Sequence, residues 1–190
     1  GQSIASMIDA SWKTPLGLVE VDSESALELR DGLDILELDS FSHSKEHSIE
    51  VQVPMLQETF SHEMKILPVS LINQEQQTAT KVGSAIAKIA QKKDALLIGS
   101  SDFTHYEENE FAHRQDLALI DPILKLDVDE FYKILYERHV TACGFGAIAS
   151  TMIACKELGA TEGKLLKYAT SGDVSGDKSS VVGYASIIFI

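Results

Sequence analysis

The run Ala95-Leu96-Leu97-Ile98, closed by Gly99-Ser100-Ser101, restricts the fold more than any other stretch. It reads as a short, continuously apolar strand, 95–100, of the kind found in a sheet covered on both faces. The rest of the chain alternates around it. Gly17 to Asp22 alternates apolar and polar residues and reads as a strand. Ser23 is placed to cap a helix running through Arg30, and Leu33 to Leu38 reads as a short strand. Lys65 to Leu71 reads as a strand with Pro68 inside it, hence an edge or a bulge. Ala79, Val82, Ile86 and Ile89 recur with helical period in the stretch 74–91. Helices are expected over 109–120 and 128–139, and a third over 142–158 with Thr141 as its cap. Strands at 164–170 and 181–190 close the chain around the polar loop SGDVSGDKSS. Strands alternating with helices give an α/β fold, a mixed sheet between helical layers, in one domain spanning 1–190.

Composition narrows the partners. With 190 residues, 44% hydrophobic and 24% charged, a packed core is within reach. The net charge of −13 argues against nucleic acid, whose phosphates need Lys and Arg. No apolar stretch approaches the roughly 20 residues that cross a bilayer, so no membrane partner is expected. No basic leader precedes an apolar run, and Cys143 and Cys155 read as free thiols of a reducing compartment. The expected location is therefore cytoplasmic. The start at Gly-Gln-Ser rather than Met suggests a piece of a longer chain.

Three groups of residues offer chemistry. Asp102 and His105 follow the apolar run, where ligands bind in α/β sheets. Three residues apart on a helical turn they share a face, and a carboxylate can orient an imidazole as base or metal ligand. Asp102 equally suits the cap of a helix starting near Thr104, with His105 on the surface; spacing leaves both readings open. Cys143, in TACGFGAIAS, stands at the start of a helix, where the thiolate is favoured. It also suits a small buried residue at a tight turn, and Cys155 reads as core packing. The stretch HSKEHSIEVQVPML crowds His43, Glu46, His47 and Glu50 together. Its apolar residues fit a strand or a helix, and Pro54 is awkward in either.

Taken together, SWKTPLG (11–17), EHSIEVQVPML (46–56), ILPVSL (66–71), GSSDFTHY (99–106), CGFGAI (143–148), YATSGD and SSVVGYAS resemble the Memo family, in order along nearly the whole chain. That family is similar in fold to class III extradiol dioxygenases, non-haem iron enzymes that open catechol rings. The resemblance implies a helical EHSIEVQVPML with Pro54 tolerated. It also implies that Asp102, His105 and Cys143 converge in one pocket, with Cys143 a metal ligand beside Asp102 and His105. His105 and Asp102 would be the catalytic acid/base pair, and His47 a contact of the cofactor. The metal would be iron, with zinc or copper also compatible with a thiolate and imidazoles. The family's two other ligand histidines lie in PHAGY-like and GPNH-like segments, and neither is present here. The GPNH-like one would directly precede Gly1. The chain thus resembles the C-terminal two thirds of a member, with a sheet edge left bare.

The expected function is redox-capable, dioxygenase-like chemistry on a small-molecule substrate. A metal-free Cys-His-Asp hydrolase is an alternative from the residue types alone. Animal members of the family mediate cell motility and associate with phosphorylated receptor tails, which implies a phosphopeptide-binding alternative. Arg30, Arg114 and Arg138 are scattered along the sequence rather than clustered for such a role.

Overall fold

A computed structural model describes residues 2–60 and 63–190. The chain falls into two compact units, Gly1–Asn73 and Gln74–Ile190. No described helix is long and apolar enough to cross a membrane.

The first unit is built from β1 (Ile4–Ser6), β2 (Ser11–Thr14), β3 (Gly17–Val21), α1 (Ser23–Gly32), β4 (Glu37–Leu38), α2 (Val53–Thr59), β5 (Lys65–Ile66) and β6 (Ser70–Leu71). Two small mixed sheets result, ordered β4-β1-β6 and β2-β3-β5, with β1–β4 and β3–β5 parallel. Gly17 closes the β2–β3 hairpin at φ 122, a conformation that disfavours any side chain. The cap of α1 lies one residue before the expected Ser23: the Asp22 carboxylate accepts from Ser25 N at 3.1 Å.

Two expectations change here, both at prolines. Lys65 to Leu71 is not one strand. Pro68 has no amide to give a ladder, and the segment divides into β5 and β6, which join different sheets. The helix implied for 46–56 begins only at Val53, with Pro54 in its first turn, where an absent N–H costs nothing. Residues 48–52 form turns instead. A short 3-10 helix, Ser40–His43, precedes them, capped by the Asp39 carboxylate on Phe41 N.

The second unit holds α3 (Gln76–Ala90), β7 (His105–Glu107), α4 (Asn109–Leu124), α5 (Val128–Glu137), α6 (Phe145–Glu157), β8 (Gly163–Thr170) and β9 (Val181–Phe189). The three strands make an antiparallel sheet ordered β7-β9-β8. The fold is α/β, as expected, with the strands of the described residues divided among three three-stranded sheets. The SGDVSGDKSS loop contains one helical turn, Gly172–Ser175.

The core of this unit gathers Phe131, Leu119, Ile120, Ile123, Leu126 and Met152, all almost wholly buried. Fully burying a Leu, Ile or Met side chain contributes about 1.5–3 kcal/mol, so this cluster adds substantially to the unit's stability. Helix α3 lies close on α6: a Cβ on Gly83 would sit 2.6 Å from Ser150 O.

The expected strand 95–100 is not in a sheet. Leu96 is 65% exposed and Ile98 47%, so the run is not buried on both faces. A strand is defined by its partner, and among the described residues none pairs with it. The segment instead rests on α6, where a Cβ on Gly99 would meet Thr151 Oγ1 at 2.5 Å.

Candidate metal centre

Backbone pairing brings the three predicted residues together. The segments 141–143 and 102–105 run alongside each other. Thr141 Oγ1 accepts from His105 N at 2.9 Å, and Thr141 O meets His105 Nδ1 at 2.8 Å. At the other end, Cys143 N donates to Asp102 O at 3.3 Å, and Asp102 N donates back to Cys143 Sγ at 3.4 Å. Ser101 secures the corner: its hydroxyl donates to Asp102 O at 2.7 Å and accepts from Gly144 N at 2.8 Å. Gly144 is required for this approach, because a Cβ there would stand 2.7 Å from Ser100 O.

The outcome is compact. One ligand atom from each of Asp102, His105 and Cys143 lies within 4.8 Å of the others. His105 Nε2 is 3.6 Å from Asp102 Oδ2. Cys143 is exposed and the other two are half-buried, so the cluster is open to solvent. The expected helical turn does not create the proximity. His105 opens β7, and Asp102 caps no helix. A bulge between His105 and Glu107 interrupts the pairing with β9 and leaves Tyr106 at φ 59, a strained value for an aromatic residue. The Tyr106 ring stands 5.8 Å from that of His105, edge to face. Tyr184 lies nearby: partial burial, then the Asp102 charge, pushes its phenol above the ordinary range.

Thr141 does not cap α6 as expected. Its hydroxyl is committed to His105, and Gly144 occupies the cap position without a side-chain bond. Cys143 consequently precedes the helix rather than beginning it. The orphan amide of Gly146 in the first turn of α6 is met by Gln74 Oε1 at 2.7 Å, while Gln74 Nε2 donates to Cys143 O at 2.9 Å. Tyr132 Oη donates to Gln74 O at 2.7 Å and fixes the base of this clamp.

Sequence reasoning passed over Gln74, and Asp116 as well. Asp116 is fully buried; its Oδ1 accepts from Thr104 N at 3.0 Å and its Oδ2 from Tyr168 Oη at 2.7 Å. It therefore tethers the backbone immediately before His105. Burial, then the bond to Asp116, pushes the Tyr168 phenol far up. A signal was present: Asp116 falls on the apolar stripe of α4 with Ala112 and Leu119, where a carboxylate needs partners. His47 belongs to the other unit, exposed, just before the turns that lead to α2. Cys155 is half-buried rather than packed in the core, and desolvation raises its thiol.

The Memo-like protein family model matches residues 1–188, which contain every residue of this cluster. The chain belongs to the Memo family. A MEMO1 family protein of Nitrosopumilus maritimus is 58% identical over the whole chain, which spans 69% of that relative. One from Methanopyrus kandleri is 46% identical over the whole chain, 68% of its own length. Another, from Methanosarcina acetivorans, is 49% identical over 98% of the chain and 70% of the relative. The chain thus spans about two thirds of these Memo relatives.

Proposed function

We propose that Asp102, His105 and Cys143 hold a metal ion, with non-haem iron the reading favoured by the resemblance, and that the site performs oxidoreductase chemistry on a small substrate. The single observation that carries this reading is how His105 is held. The Thr141 carbonyl can only accept, so the hydrogen-bond network assigns the proton to Nδ1. In the neutral ring, Nε2 then presents a lone pair toward Asp102 Oδ2. The Cys143 sulfur, already accepting from Asp102 N, joins the same cluster. Lone pairs from oxygen, nitrogen and sulfur repel one another unless a proton or a cation lies among them.

The donor set fits the group. Carboxylate, imidazole and thiolate together suit iron, zinc or copper, and three protein donors leave coordination positions open. A bound redox metal would supply a place for substrate or dioxygen. The chain's own contribution is orientation: the Thr141 carbonyl, rather than Asp102, fixes the tautomer of His105. Asp102 Oδ2 and His105 Nε2 are also assigned the acid/base role, each holding a proton only while that atom is not holding the metal. His47, which the EHSIE motif suggested as a cofactor contact, lies in the other unit and is given no place in this cluster.

The metal-free hydrolase reading is disfavoured by the same geometry. A nucleophile relay needs one ring nitrogen for the thiol and the other for the carboxylate. Here Asp102 faces Nε2 and Thr141 O occupies Nδ1. Nor do the arginines support a phosphopeptide site, since Arg30 pairs with Asp31 at 2.6 Å and Arg114 lies over the Phe111 ring.

Metal analysis of the chain purified under reducing, anaerobic conditions tests the proposal. One equivalent of metal, lost in Cys143→Ala, is expected. Binding that is unchanged in both Cys143→Ala and Asp102→Asn overturns it.

A further inference from the structure

Side chains alternate along β9. Val181 is buried and Ala185, Ile187 and Phe189 pack on the core, whereas Tyr184, Ser186 and Ile188 are exposed. Gly183 belongs to the inner set, because a Cβ there would meet Asp116 and the Tyr168 hydroxyl. Tyr184 therefore turns to the opposite face of the sheet.

Backbone pairing fixes what Tyr184 meets there. Gly183 O accepts from Phe103 N and Gly183 N donates to Thr104 O, both at 2.9 Å. His105 stands opposite Val182, and the pairing is antiparallel. One step further along both chains, Tyr184 comes level with Asp102. The N–H and C=O of Asp102 are turned to Cys143, so Asp102 and Tyr184 form a pair with no mutual backbone bonds. Side chains on such a pair share a face, with Cβ atoms about 4.5–5.5 Å apart. The electrostatics agree with this placement. Partial burial, then the Asp102 charge and Tyr106, push the Tyr184 phenol above the ordinary range.

The other hydroxyls around the cluster are already committed. Ser101 donates to Asp102 O, and Thr141 Oγ1 accepts from His105 N. Tyr184 is 44% exposed, and among the described residues its hydroxyl has no hydrogen-bond partner. It is a free O–H donor beside three groups that offer lone pairs to a cation.

We propose that Tyr184 orients the exogenous ligand of this cluster, its phenol O–H donating to an oxygen or nitrogen lone pair of the molecule that sits beside Asp102, His105 and Cys143. This role rests on the metal reading above. It gives the site a second point of attachment, so a ligand with an acceptor atom is held in one direction rather than free to turn. The donor comes from β9, a strand far along the chain from all three members of the cluster.

The cobalt(II)-loaded chain tests this, with azide as the ligand. Cobalt(II) reports an added ligand in its visible spectrum, and metal affinity is measured separately by competition with a chelator. Tyr184→Phe keeps the ring and removes only the unbonded hydroxyl. Its cobalt affinity and melting temperature are expected to match the wild type, while the azide dissociation constant rises at least ~5-fold. Unchanged azide affinity in Tyr184→Phe, with cobalt held as in the wild type, overturns the role of Tyr184 and leaves the metal reading standing. So does a cobalt-loaded wild type whose spectrum azide does not alter. A parallel loss of cobalt affinity, or a fall in melting temperature, in Tyr184→Phe gives the hydroxyl a structural role and overturns the proposal as well. A wild-type chain that takes up no cobalt overturns the metal reading and this role together.

Discussion

Asp102 Oδ2 stands 3.6 Å from His105 Nε2, while His105 Nδ1 is occupied by the Thr141 carbonyl at 2.8 Å. Nε2 is therefore the ring nitrogen turned toward the carboxylate and the site. Replacing either donor at this cluster is expected to weaken metal binding sharply, whereas replacing the hydroxyl of Thr141 leaves the carbonyl in place. Asp102→Asn and Cys143→Ala should each lower affinity by roughly 10–100-fold, read by competition against a chromophoric chelator. Thr141→Val should have a smaller effect.

Gln74 is expected to act on the site through the loop it clamps. Gln74→Ala frees Gly146 N and Cys143 O, at a cost of about 1–2 kcal/mol in a urea unfolding curve. Gln74→Glu keeps an acceptor for Gly146 but loses the donor to Cys143. It should restore part of the stability while metal affinity stays reduced. Full recovery of both in Gln74→Glu contradicts a positioning role.

Asp116 is a fully buried carboxylate that accepts from two donors in the second unit. Asp116→Ala leaves Thr104 N and Tyr168 Oη without their acceptor and is expected to destabilise by about 3 kcal/mol. Asp116→Asn retains one acceptor oxygen and should cost less. Gly183→Ala should be comparably damaging, because its Cβ would lie 1.9 Å from Asp116 Oδ2. Chemical denaturation of the three variants gives the order.

The two thiols are expected to react in a fixed sequence. Cys143 is exposed, whereas the half-buried Cys155 thiol is raised by desolvation and so holds less thiolate at neutral pH. Limiting iodoacetamide followed by peptide mapping should label Cys143 first. Metal should protect Cys143 and leave the rate at Cys155 unchanged.

His43 gives the first unit a pH dependence. Its ring is buried beside Trp12, 6.1 Å between centroids, and desolvation lowers its pKa against the smaller opposing pull of Glu46. A depressed folded pKa means the unfolded chain binds the proton more readily. Stability is complete above the unfolded value of about 6.5 and falls as pH drops from there toward the lower folded value. The melting temperature should decline over that window, and His43→Phe should flatten the decline. An unchanged slope in the variant removes His43 as the cause.

Local chemistry was legible wherever the information is local. Helices α3, α4 and α5 follow from apolar residues at helical spacing, and β8 and β9 from their composition between turn residues. The motifs around Asp102, His105 and Cys143 pointed to one pocket before any coordinates, through resemblance rather than spacing. Tertiary structure decided the rest, because it depends on partners distant in sequence. Whether 95–99 is a strand depends on a neighbour to bond with, and Pro68 sends its two flanks to different sheets. Thr141, a plausible helix cap, holds His105 instead, and Gln74 caps a helix that begins 71 residues later. A side chain's type limits the bonds it can make. Only the folded backbone selects which of them is within reach.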